Sequence, residues 1–253
     1  MAARLYVDPE RLRAPELALL GAEARYLIAV LRLVPGDHVT LFDGLGAEAD
    51  GEIVAAARGR ATLRIGATRK VPLPDGPRVT LLCALLKGSK MDWVVQKTTE
   101  LGVARLCPVL CARSVPEGGG AAARARRWER IAREAARQCG RADVPSIEAL
   151  ASFDAAVDAA GSPAGARRII CRSGAPPIGA RLRADGDIVL AVGPEGGFSQ
   201  REAARAQAAG FATASLGPRT LRAETAAIVA CAAASVLAPT ARTGYGSDDD
   251  ARG

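Results

Sequence analysis

The stretch VLAVGPEGGFSQRE, residues 189–202, decides how this chain is read. A buried apolar run ends at Val192, and a helix opens after Ser199. Ser199 and Glu202 have the spacing of a capping box, which predicts a helix from about Gln200 to Ala209, closed by Gly210. Between run and helix lie three glycines, one proline and one carboxylate, Gly193 to Gly197. Glycine lets a backbone turn tightly or approach a ligand closely. Glu195 among those glycines repels a phosphate, so the loop is built for something else.

Working outward, SLGPRTLRAETAA (215–227) repeats the arrangement: an apolar run, a Gly-Pro turn, then a helix. The runs RVTLLCALL, ARLCPVLCA, RRIICR, DIVLAV and FATASL alternate with helical patterns, which argues an α/β domain with a mainly parallel sheet. Ser89 and Asp92 suggest a carboxylate variant of the capping box. The helix after them carries Met91, Val94, Val95, Thr98 and Leu101 on one face and ends at Gly102. In a parallel sheet both glycine loops emerge at the carboxyl ends of strands, where open α/β folds bind ligands. Bare backbone there suits an adenine edge or a ribose, and a carboxylate suits a cation or a hydroxyl. S-adenosylmethionine, with an adenine, a ribose, a sulfonium and no phosphate, fits.

Residues 1–70 have another texture. RLYV, HVTLFD, GEIVAAA and ATLRIGATRKV are short β-like runs separated by glycine turns, which predict a small β-barrel or sandwich, with one helical turn at 22–31. RKVPLPDGP (69–77), with three prolines, reads as a linker. The expected domains are 1–72 and 73–240, followed by a disordered polar tail, 241–253.

Composition excludes several classes. The formal net charge of +7 leans towards an anionic partner, nucleic acid first. Only four of the cations are lysine, so arginine abundance by itself says little. The single histidine, His38, and the absence of GxSxG argue against a serine triad. Six cysteines without CxxC read as small buried hydrophobes in a reducing cytoplasm, with no metal site. No glycine cluster precedes a lysine at P-loop spacing. GLGAEA (44–49) matches GxGxxA, but a strand follows it, so it is a hairpin turn. Neither an apolar leader nor a run of membrane-spanning length is visible. The arginines of 124–138 (Arg124, Arg126, Arg127, Arg130, Arg133, Arg137) are either an RNA face or a solvated helix surface.

Together, GPEGGFS and LGPRTLRAETA resemble the signature loops of the SPOUT methyltransferases. More narrowly, they resemble the RsmE family, which methylates N3 of a uridine in bacterial 16S ribosomal RNA. KGSKMDWVVQKTTELGV (87–103), QCGRADVP (138–145), and VLRLVPGD with LFDG (30–44) resemble that family in the same order. One departure is Tyr26, where the family often has a histidine. The resemblance spans residues 4 to about 238. It implies a PUA-like N-terminal domain, a deep trefoil knot in the C-terminal domain, a homodimer, and the small ribosomal subunit as partner. It implies S-adenosylmethionine as cofactor, held by Leu190, Val192, Gly193, Glu195, Gly196, Gly197, Leu216, Gly217, Leu221 and Thr225.

The chemistry needs orientation, removal of the N3 proton and stabilisation of charge on the uracil carbonyls. Arg222 is the candidate for the charge. Glu224 or Glu195 is the candidate proton acceptor; otherwise each orients Arg222 or the ribose, or Glu224 simply complements the helix dipole. Arg4, Arg25, Arg32 and Arg141 are the expected RNA contacts. Two other readings stay open: a related SPOUT enzyme acting on transfer RNA or a ribose 2′-hydroxyl, and a non-catalytic RNA-binding protein.

Overall fold

The structure, a computed structural model, describes residues 3–114, 120–160, 165–182 and 186–237. The expected disordered tail, 241–253, lies outside the described residues. The chain forms two compact units.

The first unit is built on β1 (Ala3–Tyr6), α1 (Pro9–Leu12), β2 (Glu16–Leu20), α2 (Gly21–Arg25), β3 (His38–Phe42), β4 (Ala47–Ala57), β5 (Arg60–Ile65) and β6 (Arg69–Lys70). The sheet runs β1-β3-β4-β5-β2, with β6 on β4. β1 is parallel to β3, and the other pairs are antiparallel. The period-two pattern explains the strands. In β2, Leu17 and Leu19 are buried while Glu16, Ala18 and Leu20 face out. These leucines join Leu27, Leu41, Ile53 and Leu63 in one core, where a fully buried leucine contributes about 1.5–3 kcal/mol. Gly51 sits in β4 because a Cβ there would lie 3.0 Å from Leu63 Cδ2 and 3.1 Å from Leu41 Cδ1.

The expected helical turn at 22–31 is α2 running on as a π-helical turn, Tyr26–Val30. It ends at Arg32, whose φ is +58°. GLGAEA is a hairpin turn between β3 and β4, as its strand-flanked position required. Asp43 closes it by accepting from the amides of Leu45 (2.7 Å) and Ala47 (2.9 Å).

The second unit carries β7 (Val79–Ala84), β8 (Arg105–Leu110), β9 (Ser146–Ile147), β10 (Ala151–Ser152), β11 (Arg167–Cys171), β12 (Ile188–Val192) and β13 (Ala212–Ala214). Its sheet order is β10-β8-β7-β12-β11-β13, with parallel pairing along this path. All five residues of β12 are buried, which is why DIVLAV reads as a continuous apolar run. The helices are α3 (Ser89–Glu100), α4 (Ala121–Cys139), α5 (Phe153–Ala160), α6 (Gln200–Ala208) and α7 (Ala223–Leu237). Val95–Glu100 and Ala122–Ser146 group with the first unit, although the sequence reading places them in the second domain.

Ser89 is the first residue of α3 rather than a residue preceding it. By contrast, Ser199 caps α6 in a full capping box with Glu202. Glu202 is buried, and three donors satisfy its carboxylate: the Ser199 amide (2.7 Å), the Ser199 hydroxyl (2.8 Å) and the Ala112 amide (2.7 Å). A buried carboxylate is tolerated only when so paired. It also ties the end of the glycine loop to the chain after β8. α7 buries Ala227, Ala230, Cys231 and Ala234, a helical stripe of small residues, and it contacts β7 and β12.

Candidate active site

Beyond the carboxyl ends of β11 and β12 lies a pocket of about 290 Å³. One wall is the turn after β12: Val192, Gly193, Pro194, Glu195, Gly197 and Phe198. The facing wall is the turn before α7, with Leu216, Gly217, Arg219, Thr220 and Leu221, backed by Ala223 and Ala226 of α7. The third side is the loop after β11, contributing Cys171, Arg172 and Ser173. Pro177 bridges to Ser215, so this loop and the turn before α7 are pinned together at their bases.

The glycine turn is held from outside. The Lys90 ammonium, at the start of α3, forms an ion pair with the Glu195 carboxylate. The Arg113 guanidinium donates to the Gly196 carbonyl at 2.5 Å. Inside the turn, the Gly197 amide donates to the Pro194 carbonyl at 2.8 Å, and Gly197 has φ +68°, a conformation glycine adopts without cost. Gly193 has no room for a side chain: a Cβ there would lie 3.2 Å from the Phe198 ring and from its amide nitrogen. The hydrogen bond from Lys90, and next a backbone hydrogen bond, hold the Glu195 carboxyl below its ordinary value. In return, Lys90 is raised, first by its hydrogen bond to Glu195, with Glu224 adding to the effect and Arg222 opposing it. Glu195, Glu224 and Arg222 therefore all act electrostatically on Lys90.

Of the residues expected to hold a cofactor, Val192, Gly193, Glu195, Gly197, Leu216, Gly217 and Leu221 line this pocket. Leu190, Gly196 and Thr225 do not. Leu190 is fully buried in the sheet, Gly196 is engaged through its carbonyl by Arg113, and Thr225 faces solvent on α7. Arg222 and Glu224 stand beside the lining. The Arg222 carbonyl accepts from the Ala226 amide (2.8 Å) at the head of α7, and its guanidinium is exposed. Glu224 Oε2 is buried and has no hydrogen-bond partner among the described residues. Sequence reasoning missed Cys171, Arg172, Ser173 and Phe198, while Arg219 and Thr220 lie within the second glycine turn that it had singled out. Cys171 keeps part of its surface exposed, but burial pushes its thiol up to about 12, so it is no nucleophile at neutral pH.

The expected RNA contacts divide. Arg141 is used inside the first unit: it grips Asp143 through Nε (3.1 Å) and Nη2 (2.7 Å) and donates to the Thr99 carbonyl at 2.7 Å. Arg4 pairs with Glu48 at 2.5 Å and donates to the Arg141 carbonyl. Arg25 and Arg32 are exposed. Within the stripe, the Arg133 guanidinium lies 4.6 Å from the Tyr6 ring centroid and that of Arg137 lies 4.1 Å from Tyr26. All six cysteines are free thiols. Among the described residues no cluster of three His, Cys, Asp or Glu is placed to hold a metal ion, and no helix is long and apolar enough to cross a membrane.

Comparison with known proteins agrees with this geometry. Residues 74–235 match the family described as RNA methyltransferase domain, and residues 19–66 match RNA methyltransferase PUA domain. Ribosomal RNA small subunit methyltransferase E of Synechocystis is 37% identical over 94% of this chain and 78% of its own length. The Bacillus subtilis protein of the same name is 30% identical over 88% and 90%. The crystal structure of ribosomal RNA small subunit methyltransferase E from Neisseria gonorrhoeae, bound to S-adenosyl methionine, superposes with a TM-score of 0.84 at 31% identity, covering 94% and 98%. With one family model matching residues 74–235 and relatives matched along nearly its whole length, this protein belongs to the RsmE family of ribosomal RNA small subunit methyltransferases.

Proposed function

We propose that this chain methylates N3 of a uridine in 16S ribosomal RNA, using S-adenosylmethionine. One observation carries the reading. A pocket walled by bare glycine turns, with Glu195 on its rim, lies beside an exposed arginine and a buried carboxylate oxygen that has no partner. The donor set suits this cofactor. The glycine-turn backbone of Gly193, Leu216 and Gly217, which line the pocket, would serve an adenine and a ribose. The carboxylate-bearing wall suits a sulfonium and would disfavour a polyphosphate.

When bound, S-adenosylmethionine supplies an electrophilic methyl group. The protein's own work is then threefold. The pinned turns orient donor and acceptor, which is where much of the rate gain of a bimolecular reaction arises. Glu224 Oε2 takes the N3 proton; a carboxylate oxygen with no internal hydrogen bond is the free acceptor such a step requires. Arg222, always charged and offering five donors, stabilises the negative charge that spreads onto the uracil carbonyls. Lys90 engages the Glu195 carboxylate and holds it below its ordinary value, so the two carboxylates take separate roles.

From the sequence reading we retain Arg25 and Arg32, which are exposed, and Arg4, whose Nε has no partner among the described residues, as RNA contacts; Arg141 is engaged in the fold. The proposal includes the trefoil knot and a homodimer; exposed Trp93 and Val236 of the second unit supply apolar surface for a partner copy. The deciding experiment takes total RNA from a strain lacking this protein, methylates it with the purified enzyme and maps the modified nucleotide. N3-methyluridine at one small-subunit position is expected. A mark on transfer RNA or on a ribose 2′-hydroxyl would replace this reading with that of a related enzyme.

A further inference from the structure

We propose that the first unit holds a second nucleotide subsite, which takes one unstacked base of the substrate RNA other than the uridine being methylated. The inference rests on the RNA reading above. The site is a groove of about 810 Å³ bounded by β1, β3, the π-helical turn and the end of α4. Its size falls within the range of about 300–1,000 Å³ usual for small-molecule sites. It shares no lining residue with the glycine-walled pocket.

Three features of the groove point to a nucleobase. First, it contains a preassembled stack. The Arg137 guanidinium lies 4.1 Å from the Tyr26 ring centroid, and Leu31 and Leu33 add apolar wall. Unpaired bases are recognised by stacking on aromatic rings and guanidinium planes.

Second, it has donors without acceptors. Arg4 and Arg137 each spend an Nη2 on a carboxylate, Glu48 and Glu134 respectively, yet the Nε of each is buried and has no partner among the described residues. A buried donor left unsatisfied is destabilising. A ligand edge bearing carbonyl or ring-nitrogen acceptors would relieve both. The lining residues include no Asp or Glu, and the two carboxylates that hold the arginines, Glu48 and Glu134, are ion-paired.

Third, the backbone beside the groove is strained. The π-helical turn carries Tyr26, and its last residue precedes Leu31 and then Arg32 at φ +58°. Such π turns and left-handed non-glycine residues gather at functional sites. A phosphate alone would satisfy the arginines but leave the tyrosine and leucine wall unused, so the base reading accounts for more of the groove.

The test uses full-length protein and a transcript of small-subunit ribosomal RNA, with affinity measured by filter binding over a range of KCl. Tyr26→Leu and Arg137→Met should each weaken RNA binding on the order of tenfold, the scale of one lost base stack. S-adenosylmethionine affinity should stay within about twofold by calorimetry, a readout that a general loss of folding would not spare. Tyr26→Phe, which keeps the ring, should bind as the parent does. Unchanged affinity in Tyr26→Leu overturns the proposal. So does a loss in Arg137→Met alone accompanied by a salt slope smaller by about one, the signature of a phosphate contact.

A second measurement uses the unmodified protein with transcripts carrying 4-thiouridine or 6-thioguanosine, crosslinked by ultraviolet light. Peptides containing Tyr26 or Cys139 should carry the crosslink; crosslinks confined to other peptides overturn the proposal. Neither readout requires methyl transfer. Absence of N3-methyluridine would therefore sink the functional reading and leave this one separately decidable.

Discussion

The chain contains two glycine-rich turns that look alike in sequence and do opposite things. GLGAEA at 44–49 and GPEGG at 193–197 each follow an apolar strand, and each has one carboxylate beside its glycines. In the first, Asp43 turns inward and accepts from two amides of its own turn, Leu45 and Ala47. Gly44 at φ +74° is packed so that a Cβ would lie 3.1 Å from both Tyr6 and Val144. In the second, Glu195 pairs with Lys90, more than a hundred residues earlier in the chain, and the turn itself is left as pocket wall. The fold also takes up the first turn's backbone, since the Gly44 carbonyl accepts from the Val144 amide (2.9 Å) and the Gly46 amide donates to the Ala142 carbonyl (3.2 Å), so that turn is a structural element. A turn held by distant side chains keeps its own backbone available for a ligand.

The hardest test of the outward-facing turn is the pair of residues that flank its pocket. Arg222→Ala should lower turnover about 100- to 1,000-fold, the range seen when one donor to a developing oxyanion is lost. S-adenosylmethionine affinity should change less than about threefold by calorimetry. The reverse pattern would move Arg222 into the cofactor pocket. Glu224→Gln should cost about 100-fold in turnover, since the amide keeps the shape but cannot take a proton. If Glu224 only complements the dipole of α7, the same variant loses at most about 1 kcal/mol of stability and turns over normally.

Glycine substitutions separate the two turns directly. Gly44→Ala should destabilise the first unit by about 1–2 kcal/mol, because an L residue there is held in the left-handed region against Tyr6 and Val144. Cofactor affinity should be unchanged. Gly193→Ala should do the converse. Its methyl group meets the Phe198 ring and backbone at 3.2 Å, so the turn must shift at the pocket wall. Calorimetry should show S-adenosylmethionine affinity reduced several-fold with a smaller change in melting temperature. Equal losses of stability and of affinity in both variants would erase the distinction between the turns.

The contrast also marks what a sequence can carry. Strands such as Ile188–Val192 and the α6 cap are legible because burial and capping leave local patterns: five apolar residues in a row, or a serine three places before a glutamate. Both glycine turns were visible for the same reason, and a strand following GLGAEA was enough to tell it from a dinucleotide loop. The partners were not. Lys90 and Glu195 are 105 positions apart, and Arg113 reaches Gly196 over 83. The pocket's third side, Arg172 and Ser173, is an ordinary polar loop with no motif. Tertiary pairing leaves no periodicity, so the residues that hold and complete the pocket emerged only from the fold. Arg141 shows the converse: its place in QCGR suggested RNA, and only the fold reveals that it also bonds Asp143 and the Thr99 carbonyl.

The smallest predicted effect reads the Lys90–Glu195 pair itself. Lys90→Met removes the first cause holding the Glu195 carboxyl low and leaves the backbone hydrogen bond, the second. The carboxyl should therefore titrate at higher pH in the variant, moving towards but not fully reaching the ordinary glutamate value of about 4.3. The sign for stability follows. Because the folded value is lowered, the pair's contribution is complete above the ordinary value and disappears as pH falls through the lowered one. Parent and variant should thus differ in melting temperature at neutral pH and converge in acid. Carbon-13 NMR of the glutamate carboxyls, with Glu195→Gln assigning the signal, measures the shift. An identical titration in both proteins would mean that Lys90 does not hold the turn, and that Arg113 and the turn's own hydrogen bonds keep the pocket wall in place.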